Sequence, residues 1–159
     1  MSSRCGVFCR KVSSSTSVLT LRNVENHGTP AWAQRLNPPR SPEDWNEWWE
    51  HVFATVYWLN VRNDYQVNDF EVHKEPNNAS EGWGGTIADY DAFIQQTYDA
   101  ISYVYHTYLP GRTFHVYAPV TGGGRWPRDV MANTGASFDT VDVHNYNSDI
   151  TGYTHHMHG

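Results

Sequence analysis

The sequence predicts an α/β fold, a partial (β/α) barrel of about four parallel strands with three to four helices. Runs with strand and helix patterns alternate along the chain, the order that produces a parallel sheet. Two of the strand runs set apolar residues against ionisable ones. Phe70 and Val72 alternate with Asp69, Glu71 and His73, and Val141 and Val143 with Asp142, His144 and Tyr146. A doubly wound sheet buries both faces under helices, so its strands read as continuous apolar runs. A closed barrel can turn polar side chains inward near its mouth, and the two half-ionisable strands favour it.

Taken in order, residues 1–16 are Ser-rich without periodicity and are expected to form a loose N-terminal arm ahead of one barrel-type domain over 17–159. Their two cysteines, Cys5 and Cys9, are an isolated pair and only a weak zinc signal. Residues 17–24 form a β-type run, followed by turn chemistry at Asn26-His27-Gly28-Thr29-Pro30. The first helix is expected to be capped by Ser41, with Pro42 at its first position and Glu43 and Asp44 in its first turn. Trp45, Trp48, Trp49, Val52, Phe53, Val56 and Tyr57 then recur at helical spacing, a stripe assigned to the core. The strand at 69–73 runs into Glu75-Pro76, and the proline predicts an extended Glu75 at a strand's carboxyl end. Thr86 and Asp89 match a capping box for a second helix. Its apolar side is Tyr90, Phe93, Ile94, Ile101, Val104 and Tyr108, and Pro110-Gly111 stops it. A strand over 114–120, a glycine loop, a short helix opened by Pro127 and a last strand over 140–146 complete the pattern.

Composition narrows the function. A length of 159 residues suits one domain with a sizeable core. Seventeen carboxylates against eleven Lys and Arg, a net charge of −6, argue against a nucleic-acid partner. No apolar run approaches the ~20 residues of a membrane span, and no leader pattern is seen, so a soluble protein without a membrane partner is expected. The compartment is not readable. Asn78-Ala79-Ser80 is an N-glycosylation acceptor only in a secreted eukaryotic setting. Seven Trp and ten Tyr can supply platforms for sugars, the ligand class that the acidity leaves.

In a barrel, Glu75 and the set Asp142, His144 and Tyr146 come from different strand ends and converge on one mouth. The run Glu71-Val72-His73-Lys74-Glu75-Pro76-Asn77 resembles the Asn-Glu-Pro signature that ends strand four of the clan A glycoside hydrolases. Thr29-Pro30-Ala31-Trp32, Gly82-Trp83 and Asp89-Tyr90 fit the same pattern, and His144-Asn145-Tyr146 resembles the histidine and aromatic pair of strand six. The nearest flavour is the β-xylosidase-like families. The likeness covers about residues 17–150, or strands three to six. It implies a (β/α)8 TIM barrel and retaining hydrolysis of β-linked plant-type sugars such as xylosides or glucosides, without a required cofactor. Glu75 would be the general acid/base. Lys74, His144, Tyr146, Trp83, Trp126 and Asn26 would bind the sugar, with loop packing the alternative role for the two tryptophans.

Two departures oppose a complete catalytic reading. Lys74 stands where the family has Asn, and its charge would favour the carboxylate form of Glu75, whereas a general acid needs the opposite bias. The retaining mechanism also needs a nucleophilic carboxylate about 5 Å from the acid. The family takes it from strand seven, and no Glu follows Glu81 in this sequence. Glu71 is expected roughly 13 Å deeper than Glu75 along an extended strand, too far for a retaining pair, and Asp142 is no better placed. The alternative function is a non-catalytic carbohydrate-binding or accessory protein. In that reading His155, His156 and His158 could hold a divalent metal, against the plainer reading of an exposed polar tail. Four strands would leave raw sheet edges, so a homo-oligomer, such as a dimer completing the barrel, is expected. Light scattering at low micromolar concentration checks this, and a stable monomer would overturn it.

Overall fold

The computed structural model describes residues 8–11, 17–21, 44–78, 82–121, 125–134 and 138–144. Its strands are β1 (Phe8–Lys11), β2 (Ser17–Leu21), β3 (Asp69–Val72), β4 (His115–Thr121) and β5 (Thr140–Val143). Its α-helices are α1 (Trp45–Val56), α2 (Ile87–Tyr108) and α3 (Trp126–Thr134). One sheet holds all five strands in chain order. The pairs β2–β3, β3–β4 and β4–β5 are parallel, and β1 is antiparallel to β2. A doubly wound sheet reverses its strand order at a switch point. Here four parallel strands follow one another without reversal, with α1 packed on α2 and α2 on α3. That is the winding of a partial (β/α) barrel, as the sequence predicts. Phe8–Lys11 lies inside the segment expected to be a loose arm, and its pairing to β2 makes it part of the sheet.

Local chemistry places the helix starts. Asp44 caps α1, its Oδ1 accepting from Asn46 N at 2.9 Å and Glu47 N at 3.3 Å. The cap is therefore Asp44 rather than Ser41. The expected core stripe is observed, with Trp48, Val52 and Val56 buried and Trp45, Trp49, Phe53 and Tyr57 packed against them. Thr86 and Asp89 form the predicted capping box, Thr86 N donating to Asp89 Oδ2 at 2.9 Å and Asp89 N to Thr86 Oγ1 at 3.1 Å. Along α2, Tyr90, Phe93, Ile94, Ile101 and Val104 are buried as expected, joined by Thr97, Ala100 and Tyr105. Tyr108 is instead 41% exposed, its ring meeting Tyr57 edge-on at 5.1 Å, because the helix turns its last apolar position out of the core.

The α1–α2 seam is both apolar and hydrogen-bonded. Trp48 stacks on Phe93 at 4.5 Å, and its Nε1 donates to Thr97 Oγ1 at 3.1 Å. After α1 the chain continues as a π-helical turn, Tyr57–Arg62, which carries the buried Asn60. Asn60 accepts from Val67 N at 2.9 Å and donates to Val67 O at 2.8 Å, so one amide satisfies both backbone groups just ahead of β3. The helix side of the sheet is dry: Phe70, Val72, Val116 and Ala118 are fully buried. The opposite side carries Asp69 and Glu71. His73, expected beside them, is instead fully buried on the helix side against Trp83, Tyr90 and Phe93, because its φ of +53° breaks the strand's alternation.

Asp91 on α2 breaks the pattern. Both its carboxylate oxygens are buried and lack a hydrogen-bond partner among the described residues, and burial pushes its pKa up to about 6. The folded state holds this proton to higher pH than the unfolded chain does. Its contribution is therefore complete below about pH 4 and falls as pH rises through 6. Melting temperatures from pH 4 to 8 should show the Asp91→Asn variant losing this decline and exceeding the parent at pH 8. An unchanged slope in the variant would refute the assignment.

Candidate active site

The ionisable face of the sheet is built strand by strand. Asp69 on β3 is buried and accepts a 2.9 Å hydrogen bond from the Tyr117 hydroxyl of β4. Burial pushes Tyr117 up to about 12, helped by that bond and by the charges of Asp69, Asp142 and Asp139. Above this pair, Glu71, Asp142 and His144 each present one ligating atom, all within 4.8 Å of one another. Two carboxylates and an imidazole so close are suited to holding sugar hydroxyls, and as a donor set they would also suit a divalent cation.

At the carboxyl ends of the strands, Glu75 Oε1 and His144 Nδ1 are 2.8 Å apart, and Lys74 Nζ lies 3.9 Å from the same oxygen. Side-chain exposure is 16% for Glu75 and 13% for His144 but 44% for Lys74, so the pair is recessed and the ammonium sits at the rim. Both residues are fixed by their backbones to β4. Glu75 N donates to Val120 O at 2.6 Å, and His144 N donates to Thr121 O at 2.7 Å.

Three expectations about this region need correction. Glu75 is not extended, since its φ is +49°, and His73 two residues earlier has φ +53°. The bond to Val120 O and the turn closed by Asn78 N on Glu75 O at 3.0 Å override the bias of the following proline. These two left-handed residues break strand alternation, which is how the consecutive side chains of Lys74 and Glu75 meet. They also shorten the path from Glu71 to Glu75. His144 touches Glu75 and lies within 4.8 Å of Glu71, so the two carboxylates are closer than the ~13 Å of an extended strand. Trp83, read as a sugar platform, is only 7% exposed. Its Nε1 donates to Thr86 O at 3.0 Å, and its ring packs on His73, Tyr90 and Phe93, which makes it core.

Trp126 is half-buried, with its ring edge-on to Tyr90 at 5.5 Å. Asn26, Tyr146, His155, His156 and His158 lie outside the described residues. Sequence reasoning missed Tyr117 and Asp69 as a pair, Asn60, and the role of Gly82. A Cβ at Gly82 would meet Asn78 O and stand 2.5 Å from Pro76 O, so the glycine permits the turn that follows Glu75. A glycine just before Trp83 was the available signal.

Neither a protein-family model nor a curated protein matches the sequence. Solved structures do match it. One is a monomeric beta-xylosidase from Caulobacter crescentus CB15, with 21% identity, a TM-score of 0.52 and coverage of 73% of this chain and 23% of that one. A GH39 beta-xylosidase from Caulobacter crescentus gives 22%, 0.56, 75% and 26%. The GH39 enzyme from Xanthomonas axonopodis pv. citri gives 23%, 0.52, 68% and 21%. The chain thus spans about a quarter of the length of these structures or less. At such identities the likeness is one of fold: the strands and helices of this chain match part of the fold of these structures.

The contact between Glu75 and His144 joins two strands that do not pair with each other. A double-mutant cycle of Glu75→Gln and His144→Ala, followed by urea unfolding, should give a coupling of roughly 0.5–3 kcal/mol. Strictly additive effects would mean the two side chains do not interact in solution.

Proposed function

We propose that this chain is the acid/base-bearing part of a glycoside hydrolase acting on β-linked plant-type sugars such as xylosides or glucosides. The observation that carries the reading is the recessed Glu75 at the carboxyl end of β3, held 2.8 Å from His144. In this reading Glu75 protonates the leaving glycosidic oxygen and then, as a carboxylate, takes the proton of an attacking water. His144 fixes the carboxyl group's orientation, and the Glu71 and Asp142 carboxylates receive sugar hydroxyls. The nucleophile of the retaining pair is a second carboxylate supplied by a partner copy of the chain that completes the barrel. The beta-xylosidase activity named for two of the structural neighbours supports the choice of substrate.

A second reading is a carbohydrate-binding protein without turnover. One observation favours it: an ammonium 3.9 Å from Glu75 stabilises the carboxylate rather than the acid that the first step consumes. Aryl β-xyloside and aryl β-glucoside separate the two readings. Glu75→Gln should reduce hydrolysis by ~10²–10⁴-fold, because an amide supplies no proton. Full turnover by that variant would overturn the assignment. No turnover by the parent chain, with oligosaccharide affinity intact, would favour the second reading.

A further inference from the structure

We infer that the chain carries a second carbohydrate-binding site at the end of the sheet opposite Glu75, formed by Trp58, Tyr65 and a polar cavity beside them. Its ligand is a neutral β-linked oligosaccharide, an identity that rests on the substrate class proposed above. Gln66 and Asn68 precede β3, and Gly111, Arg112 and Thr113 precede β4, so they gather at the amino ends of parallel strands. Glu75 follows the carboxyl end of β3, roughly 15–20 Å away at strand rise.

The rings come first. Trp58 and Tyr65 are 54% and 56% exposed, the highest values among the large apolar side chains of the described residues. They meet edge-on at 5.7 Å, so each restrains the other while more than half of its surface faces solvent. The backbone holds them in place. Asn63 Nδ2 donates to Trp58 O at 2.6 Å and Tyr65 N to Leu59 O at 2.9 Å. Asp64 and Gln66, on either side of Tyr65, have φ of +51° and +56°. Non-glycine residues seldom occupy that region, and two of them flanking one exposed ring is a costly way to display it. Such strain concentrates at ligand clamps.

The cavity supplies the polar half. It has a volume of about 290 Å³, near the lower limit for ligand pockets, and Gln66, Asn68, Gly111, Arg112 and Thr113 line it. Arg112 pairs with Asp64 at 2.8 Å, which cancels the local charge and removes the attraction for an anion. The amides and the hydroxyl that remain both donate and accept, as sugar hydroxyls require. Tyr65 directly precedes the lining residue Gln66, and exposed rings joined in this way to a charge-neutral amide pocket fit a carbohydrate better than a nucleic acid, which the net charge of −6 also repels.

Retention on insoluble xylan and calorimetric titration with xylohexaose test this, using the whole chain with Glu75→Gln to prevent turnover. The Trp58→Ala, Tyr65→Ala double variant should lose one class of site and bind xylan roughly tenfold more weakly. Tyr65→Phe should keep it. In the Glu75-intact background, the double variant should cleave a short aryl glycoside at the parent rate. Circular dichroism checks that the double variant is folded. Unchanged xylan retention by the folded double variant, or no retention by the parent, overturns the inference. Hydrolysis that depends on Glu75 beside retention indifferent to both rings sinks this site alone. Retention that depends on the rings without any hydrolysis sinks the catalytic reading and leaves this site standing.

Discussion

Two consecutive carbonyls at the end of β4 organise the contact between Glu75 and His144. Val120 O receives Glu75 N and Thr121 O receives His144 N, so residues from the strands on either side are referenced to one stretch of backbone. The 2.8 Å contact between the two side chains follows from that shared reference. A single side-chain hydrogen bond adds only about 0.5–1.5 kcal/mol net and could not hold two strands in register by itself. Backbone hydrogen bonds in a parallel ladder can, because buried N–H and C=O groups must be satisfied somewhere.

The ladder is supported from its dry side. Tyr90 reaches from α2 to donate to Val72 O at 2.8 Å, and Asn60 and Tyr105 hold Val67 ahead of the same strand. These polar contacts lie inside an aromatic layer of Trp48, Phe93, Phe70 and Tyr105. The helix layer therefore sets both ends of β3, leaving the opposite face to the acidic groups. Glu71, Asp142 and Asp69 can be crowded together because neutral or donor partners stand among them, Tyr117 on Asp69 and His144 beside the other two.

What the sequence revealed depended on how local the chemistry was. The start of α2 was legible, since Thr86 and Asp89 satisfy each other's backbone within one turn. The start of α1 was displaced by three residues because Ser41 and Asp44 are rival caps and local preference does not choose between them. The two-faced strands were legible from alternation, and they led to the barrel. The turn at Glu75 was not, because a hydrogen bond to β4 overrides what its own proline prefers. Asn60 was equally hidden, with partners at Val67 and Tyr105 that no periodicity connects. Trp83 looked like a loop aromatic, and only the packing of β3 against α2 shows that its ring is inside.

The reliance on β4 also has a kinetic side. Glu75 and His144 are 69 residues apart in sequence, and no local contact brings them together. Helices α1 and α2 can gain much of their structure early, from caps and neighbouring turns. The Glu75–His144 pair must wait until both flanking strands have closed long loops onto β4, and such non-local closures are slow. A partly assembled sheet could already bury Phe70 and Val116 while Glu75 and His144 are still apart. That contact would then be among the last the chain acquires and among the first it loses.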